Sequence, residues 1–497
     1  MDQEADGPGA ARSYTNPVLG GDRPDPAVIK VGDEYWMTYS SFEAAPGLLL
    51  YRSDDLVTWT YVTAALPEPL GSTFAVDVAE HDGRFFIYIP FIPTPWSSLT
   101  DASIFVIHAD AMAGPWSEPI DLGVRGAIDP GHVVGEDGRR YLFLSGIRRV
   151  ALCDDGLSTV GEIEQVYDGW RYPDDWITEA YALEGPKLFR RGEWFYLVSA
   201  VGGTAGPPTG HMVIVARSRS VHGPWENHPG NPIARTRSAD ERWWSRGHAT
   251  ILEVPGEQWY MLSHGYENGY RTLGRQILLE QVAWTEDGWP VAAADDVGGA
   301  LPLPEGAAPQ HPLLPPAEEI PGFRLGERWA FHAPLPGESG RLTVADDVLV
   351  LRGKGVGPGD SSPLALVTGD HAYEIEVDVE LEGPVEAGLL LFFNGRLFCG
   401  MGIDGAGMRS YSGGIRTHWR EPAPAGRRLS LRLRNDHHIV TGWWREQGGE
   451  WTRHGVRYET SGYHANTIGD LLSLRPAIYA AGDGSARFRD LRYRRLA

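Results

Sequence analysis

The sequence predicts an all-β protein, a five-bladed β-propeller followed by a β-sandwich. Three observations carry that prediction. The 497 residues include 18 Trp, 20 Tyr and 62 Gly, and aromatic pairs inside short runs bounded by Gly and Asp favour strands and tight turns over helices. One pattern of turn residues, aromatic or aliphatic pair and apolar run recurs five times. Beyond a proline-rich stretch, strands resume with strict alternation of apolar and charged residues.

The repeats are GDEYWMTYSS (32–41), DGRFFIYIPF (82–91), DGRRYLFLSG (137–146), RGEWFYLVSA (191–200) and GEQWYMLSHG (256–265). Their first aromatics, Tyr35, Phe85, Tyr141, Trp194 and Trp259, stand 50 to 65 residues apart, a period that suits a four-stranded blade with decorated loops. Secondary echoes at 55–59, 114–116 and 223–225 fit outer strands. Any all-β protein contains some Asp-Gly hairpins with nearby aromatics, but five in even series, confined to the first three-fifths of the chain, specify a propeller over residues 14–299. Residues 300–322, LPLPEGAAPQHPLLPPAEEIPG after Ala300, read as a linker without regular ladder hydrogen bonds. Residues 323–497 read as the sandwich. There 373–381 and 428–434 alternate as half-buried strands, and 388–393 is apolar throughout, as a central strand should be.

Charge and cysteine usage narrow the function. A formal net charge of -22 argues against a nucleic-acid partner, because phosphate binding needs clustered Lys and Arg; a neutral substrate is indifferent to it. Only Cys153 and Cys399 are present, too few for a disulfide framework, and no Cys/His spacing suggests zinc. No segment is long and apolar enough to span a membrane, and the first residues lack a basic and an apolar leader region. The expectation is a cytoplasmic protein without a membrane partner; a secreted protein already relieved of its leader is the alternative.

A propeller concentrates its innermost strands around one channel. Reading back 8 to 12 residues from each first aromatic gives Asp25, Asp77, Asp129, Glu184 and His248. Four carboxyl groups and a histidine thus share one phase of the repeat. Ionisable groups facing a channel are costly unless paired, hydrated or ligated, so their clustering points to function. Singly, Asp-Pro at 25 and 129 could open a turn and Glu-Gly-Pro at 184 could be one.

At these positions the sequence resembles glycoside hydrolase family 43. Asn16-Pro-Val-Leu-Gly-Gly-Asp-Arg-Pro-Asp25-Pro, Ser53-Asp-Asp-Leu-Val-Thr-Trp59, Ala127-Ile-Asp129-Pro, Glu184-Gly-Pro186, Arg246-Gly-His248, Leu273-Gly-Arg275 and Ser473-Leu-Arg-Pro-Ala-Ile-Tyr479 resemble its successive motifs, in order. The resemblance implies an inverting hydrolase with Asp25 as general base, Glu184 as general acid and Asp129 orienting Glu184 and raising its pKa. It also implies a concanavalin-like jelly roll at the C-terminus and an oligosaccharide substrate from which β-D-xylose or α-L-arabinofuranose is released. Arg275, Phe42, Phe74 and Asp77 are the expected substrate contacts. For Arg275 a salt bridge to a channel carboxylate is the alternative, and for Phe42 a place in the core. Calcium near His248 is possible by the same resemblance, against the alternative of a satisfied core histidine. Two departures bear on the sugar: Phe74-Ala-Val-Asp77 replaces Trp-Ala-Pro before the aspartate, and Ala44-Ala45 replaces an aromatic, both expected at the substrate-facing rim. Retaining fructosidases are disfavoured, since neither their Asn-Asp-Pro-Asn-Gly opening nor their Glu-Cys pair is found. A carbohydrate-binding propeller that lost catalysis is disfavoured by three intact carboxyl positions.

Overall fold

The computed structural model describes residues 13–307, 323, 325–345, 348–418 and 426–496; the N-terminal leader reading and most of the predicted linker, 308–322, lie outside them. The described residues are almost entirely strand and loop, with one four-residue α-helix, Ala465–Ile468, and none long and apolar enough to cross a membrane.

Five antiparallel sheets form the blades. Their innermost strands are Ala27–Val31, Asp77–His81, Gly131–Val134, Glu184–Arg191 and Trp243–Val254, and each touches the next around a closed ring. The second strands carry the repeated aromatic runs. Arg84–Ile92, for example, is buried at every residue after the first, because both its faces meet neighbouring blades. Asp82 and Gly83 connect it to the innermost strand with φ of 51° and 75°, the two positive values that a type I′ hairpin needs. Two sequence readings shift by a few residues. The echoes at 55–59, 114–116 and 223–225 are turns leading into the outermost strands Thr60–Leu66, Ile120–Arg125 and Glu226–Asn227. Ala300–Pro302, assigned to the linker, is a strand that pairs with Ser13–Thr15. Leu301 is buried while its neighbours face outward, and a proline ending a two-stranded edge is no obstacle to pairing.

The C-terminal region is a sandwich of two sheets. Ile375, Val377 and Val379 of one sheet share a core with Leu389 and Leu391 of the other. On the outer face the alternating acids of Ala372–Glu382 meet arginines of adjacent strands, Glu380 with Arg489 and Glu376 with Arg432, each at 2.5 Å. The larger sheet has eight strands, and its last is Ala44–Ala45 from the propeller, paired with Trp329–His332. The Ala333 N–H donates to Glu43 O at 2.7 Å, and Phe42 belongs to the sandwich core. Ala44-Ala45 is therefore a domain seam and not an open rim: two methyl side chains let the backbones come together as a ladder.

That seam makes the domains interdependent. A chain ending at residue 321 should be insoluble or inactive, because Phe42 and the Ala44–Ala45 ladder lose their cover. Full activity with an unchanged melting temperature would refute this.

Candidate active site

Four channel positions share an uncommon backbone. Asp25 precedes the first innermost strand by two residues, Asp129 precedes the third by two, and His248 sits in the fifth where pairing is interrupted between Gly247 and Thr250. Their φ values are 62°, 55° and 51°, and Gly185, directly after Glu184, has φ 62°. Left-handed conformations are rare for non-glycine residues and persist only where surroundings enforce them. Here they recur at corresponding positions of blades one, three, four and five.

Asp25 is fully engaged. Its Oδ1 accepts from Arg275 Nη1 at 2.9 Å and its Oδ2 from Ser40 Oγ at 2.6 Å, while its N–H donates to His264 Nδ1 at 3.1 Å. Burial alone would raise its pKa. The Arg275 guanidinium, helped by His248 and His264, overrides burial and holds the carboxyl well below its ordinary range.

Asp129 and Glu184 are displaced the other way. Burial, then the negative charge of Asp25, pushes Asp129 up to about 7 despite a 3.1 Å hydrogen bond from the Gly185 N–H to its Oδ2. Burial, then Asp129, then Asp25 raise Glu184 well above the usual glutamate value. Asp129 thus acts on Glu184 twice, through charge and by holding the backbone of the next residue. The two carboxyl groups are thus driven in opposite directions, Asp25 toward the ionised form and Glu184 toward the protonated one. Glu184 also retains 24% exposure of its side chain against 6% for Asp25, so it is the more open of the two.

Arg275 realises the alternative of a salt bridge to a channel carboxylate, but only with one arm: its Nε and Nη2 are buried without a hydrogen-bond partner among the described residues. Its N–H donates to Asp22 Oδ1 at 3.2 Å, and Asp22 pairs with Arg475 of the sandwich at 2.9 Å. The Arg275 guanidinium lies 5.4 Å from the ring centre of Phe42, and Phe74 packs edge-on against Phe42 at 5.5 Å. Phe42 is both a wall beside Arg275 and part of the sandwich core. Asp77 does not join this group. Its Oδ1 accepts from Lys187 Nζ at 2.7 Å and its Oδ2 from the His132 N–H at 2.7 Å. Lys187 Nζ also donates to Val76 O and Pro130 O, so the pair fastens blades two, three and four where a substrate contact was expected.

His248 Nδ1 lies 3.5 Å from Asp25 Oδ1, and its buried Nε2 has no partner among the described residues. Burial brings its pKa down to about 3, leaving a neutral ring. No group of three or more His, Cys, Asp or Glu among the described residues could hold a metal ion, so a calcium ion at His248 would be held through this one ring nitrogen and waters.

Sequence reasoning missed Ser40, Lys187, His211 and His264. His264 lies inside the fifth repeat, where a histidine in an otherwise apolar run was the available signal.

Comparison with known proteins bears on the family and the fold. The description Glycosyl hydrolases family 43 matches residues 14–290. A xylan 1,3-beta-xylosidase of a Vibrio species is 32% identical over 343 residues, 60% of each chain. A non-reducing end alpha-L-arabinofuranosidase of Bacteroides ovatus is 32% identical over 308 residues, 58% of this chain and 55% of that one. The matches thus span somewhat over half the length of these curated relatives. Among solved structures, a family 43 protein of Bacillus licheniformis superposes with a TM-score of 0.82 at 23% identity, covering 97% of this chain and 100% of that one. One from Bacteroides ovatus reaches 0.84 at 24% identity with the same coverage. These last two show the fold, propeller and sandwich together.

Proposed function

The chain belongs to glycosyl hydrolase family 43, and on that footing we propose that it hydrolyses glycosidic bonds by single-step inversion, releasing terminal xylose or arabinofuranose units from oligosaccharides. The observation that carries the reading is the opposed displacement of Asp25 and Glu184 within one channel. Two carboxyl groups driven apart in this way are matched to a base and an acid. Asp25 takes a proton from a water as its oxygen attacks the anomeric carbon. Glu184 gives its proton to the glycosidic oxygen as that bond breaks. Asp129 keeps Glu184 protonated and placed, and Arg275 holds Asp25 in its ionised form.

Exo action fits the sandwich, whose segment around residues 466–475 is fastened to propeller loops, one of which carries Asp22, the partner of the Arg275 N–H. Asn466 Nδ2 donates to Ala205 O at 2.5 Å, the Leu474 N–H donates to Thr272 O at 2.7 Å, and Arg475 pairs with Asp22. Pentose release is supported by the names of the two relatives.

The test is stereochemical. Asp25 and Glu184 belong to blades one and four, which are not neighbours. Inversion needs about 6.5–9.5 Å between the carboxyl groups, to admit a water, and retention only about 5–5.5 Å. Proton NMR of a nitrophenyl xyloside, arabinofuranoside and galactofuranoside panel should show the first-formed sugar with the anomeric configuration opposite to the substrate's. Release of the same anomer, or a trapped glycosyl-Asp25, would overturn the mechanism; the panel identifies the sugar.

A further inference from the structure

Glu184 has a close neighbour that this chemistry leaves unused. His211 stands directly before strand Met212–Ser218 of blade four. It is completely buried, and neither ring nitrogen has a hydrogen-bond partner among the described residues. Buried polar groups are almost always bonded, so an imidazole kept this way calls for an explanation. Its Nδ1 points to one: Glu184 Oε1 is 3.8 Å away. The ring is held on two sides. It lies flat on His264, with centroids 5.3 Å apart and planes within 4°, and His264 Nδ1 is 3.0 Å from Asp25 Oδ1. At Gly247 a Cβ would fall 1.8 Å from His211 Cδ2, so the backbone there is bare where the ring needs the space.

We propose that His211 is a positioning residue for Glu184, its neutral imidazole presenting an Nδ1–H that closes onto Oε1 as Glu184 gives up its proton. The proposal rests on Glu184 being the general acid. At 3.8 Å no hydrogen bond is made to the resting carboxyl, and contacts of this kind commonly tighten only as the reaction proceeds. In the step itself the anomeric C–O bond breaks and the proton of Glu184 moves to the leaving oxygen. The electron pair of that O–H bond stays on the carboxylate, which accepts the hydrogen bond from His211; the imidazole keeps its own proton. The donor therefore gains strength only as negative charge develops, which is how an interaction speeds the step without tightening ground-state binding. An imidazolium would serve worse, because its charge would favour the ionised acid before substrate arrives. Burial, with His264 and His248 alongside, keeps His211 well below the ordinary histidine value, against the opposing pull of Asp25.

The experiment compares His211→Ala, His211→Asn and Glu184→Ala with the full-length wild type on aryl glycosides from dinitrophenyl to unsubstituted phenyl. His211→Ala should lose about tenfold or more in kcat on the phenyl glycoside, the scale of a hydrogen bond to a charged group. On the dinitrophenyl glycoside, which needs little protonation, it should be near wild type, with KM changed less than kcat throughout. His211→Asn, whose amide offers an N–H from a similar place, should recover most of the loss and guards against an alanine variant that fails to fold. A uniform loss across leaving groups, or an asparagine variant with wild-type melting temperature and no recovery, would overturn the proposal. If Glu184→Ala itself shows no leaving-group dependence, the acid assignment has failed instead.

Discussion

Glu184→Ala will lower the rate by about 10²–10⁴-fold on substrates with poor leaving groups, and far less on dinitrophenyl glycosides. The reason is the proton. A phenolate stabilised by two nitro groups departs without one, whereas a sugar alkoxide does not. Asp25→Ala should lose a comparable factor on every leaving group, because the attacking water must be deprotonated whatever departs. The pH profile follows from the same displacements. Asp25 lies well below the ordinary carboxylate range, so wild-type activity should persist into acid. Glu184 is raised and Asp129 stands at about 7, so activity should fall on the alkaline side as the pair loses its proton. For Glu184→Ala on dinitrophenyl substrate that alkaline fall should vanish. An equal loss on all leaving groups would remove Glu184 as the acid.

Lys187→Met should cost about 3–5 kcal/mol of stability, as breaking a buried ion pair from one side does. Asp77 would remain inside, with backbone N–H groups of His132 and Val78 but no cation to support its charge. Burial already holds the Asp77 carboxyl above its ordinary value with the lysine present, and removing Lys187 raises it further. A group whose folded pKa exceeds its unfolded one favours folding at low pH and loses that contribution as pH rises. The deficit of the variant relative to wild type should therefore be larger at pH 8 than at pH 5. Adding Asp77→Asn should restore much of it. Denaturant unfolding at the two pH values decides the matter, and a deficit independent of pH would show that Asp77 is not the cause.

The propeller could be read from the sequence because each blade repeats the same local chemistry, an Asp-Gly or Gly-Xaa hairpin followed by a buried apolar strand. Asp25, Asp129 and Glu184 were visible for the same reason: the phase of a repeat is a local property. Asp77 shared that phase and misled, because nothing nearby in sequence announces that Lys187 will meet it, 110 positions on. His211 was equally hidden, and His264, though it stands out in its repeat, gave no sign of its partner. Asp25 and His264 are 239 residues apart, and what joins them is the closing of the ring, which no window along the chain contains. Ala44-Ala45 misled differently. The two alanines were expected at the substrate-facing rim, and only the partner strand Trp329–His332 shows them to be a ladder.

The pairing of Ser13–Thr15 with Ala300–Pro302 also sets an order of events during synthesis. Chains emerge from the ribosome N-terminus first, and domains generally fold as units. The first blade appears early, yet the bonds that settle it come last: Asn16 exchanges hydrogen bonds with Leu279, Pro26 O accepts from Thr250 Oγ1, and Asp25 receives Arg275 across 250 residues of sequence. Until the fifth blade has been made, the carboxylate of Asp25 has no guanidinium to face and belongs in water. Completion of the ring and pairing of Asp25 are then one event, and a nascent chain stalled just before residue 275 carries four blades, two strands of the fifth and an Asp25 without its guanidinium.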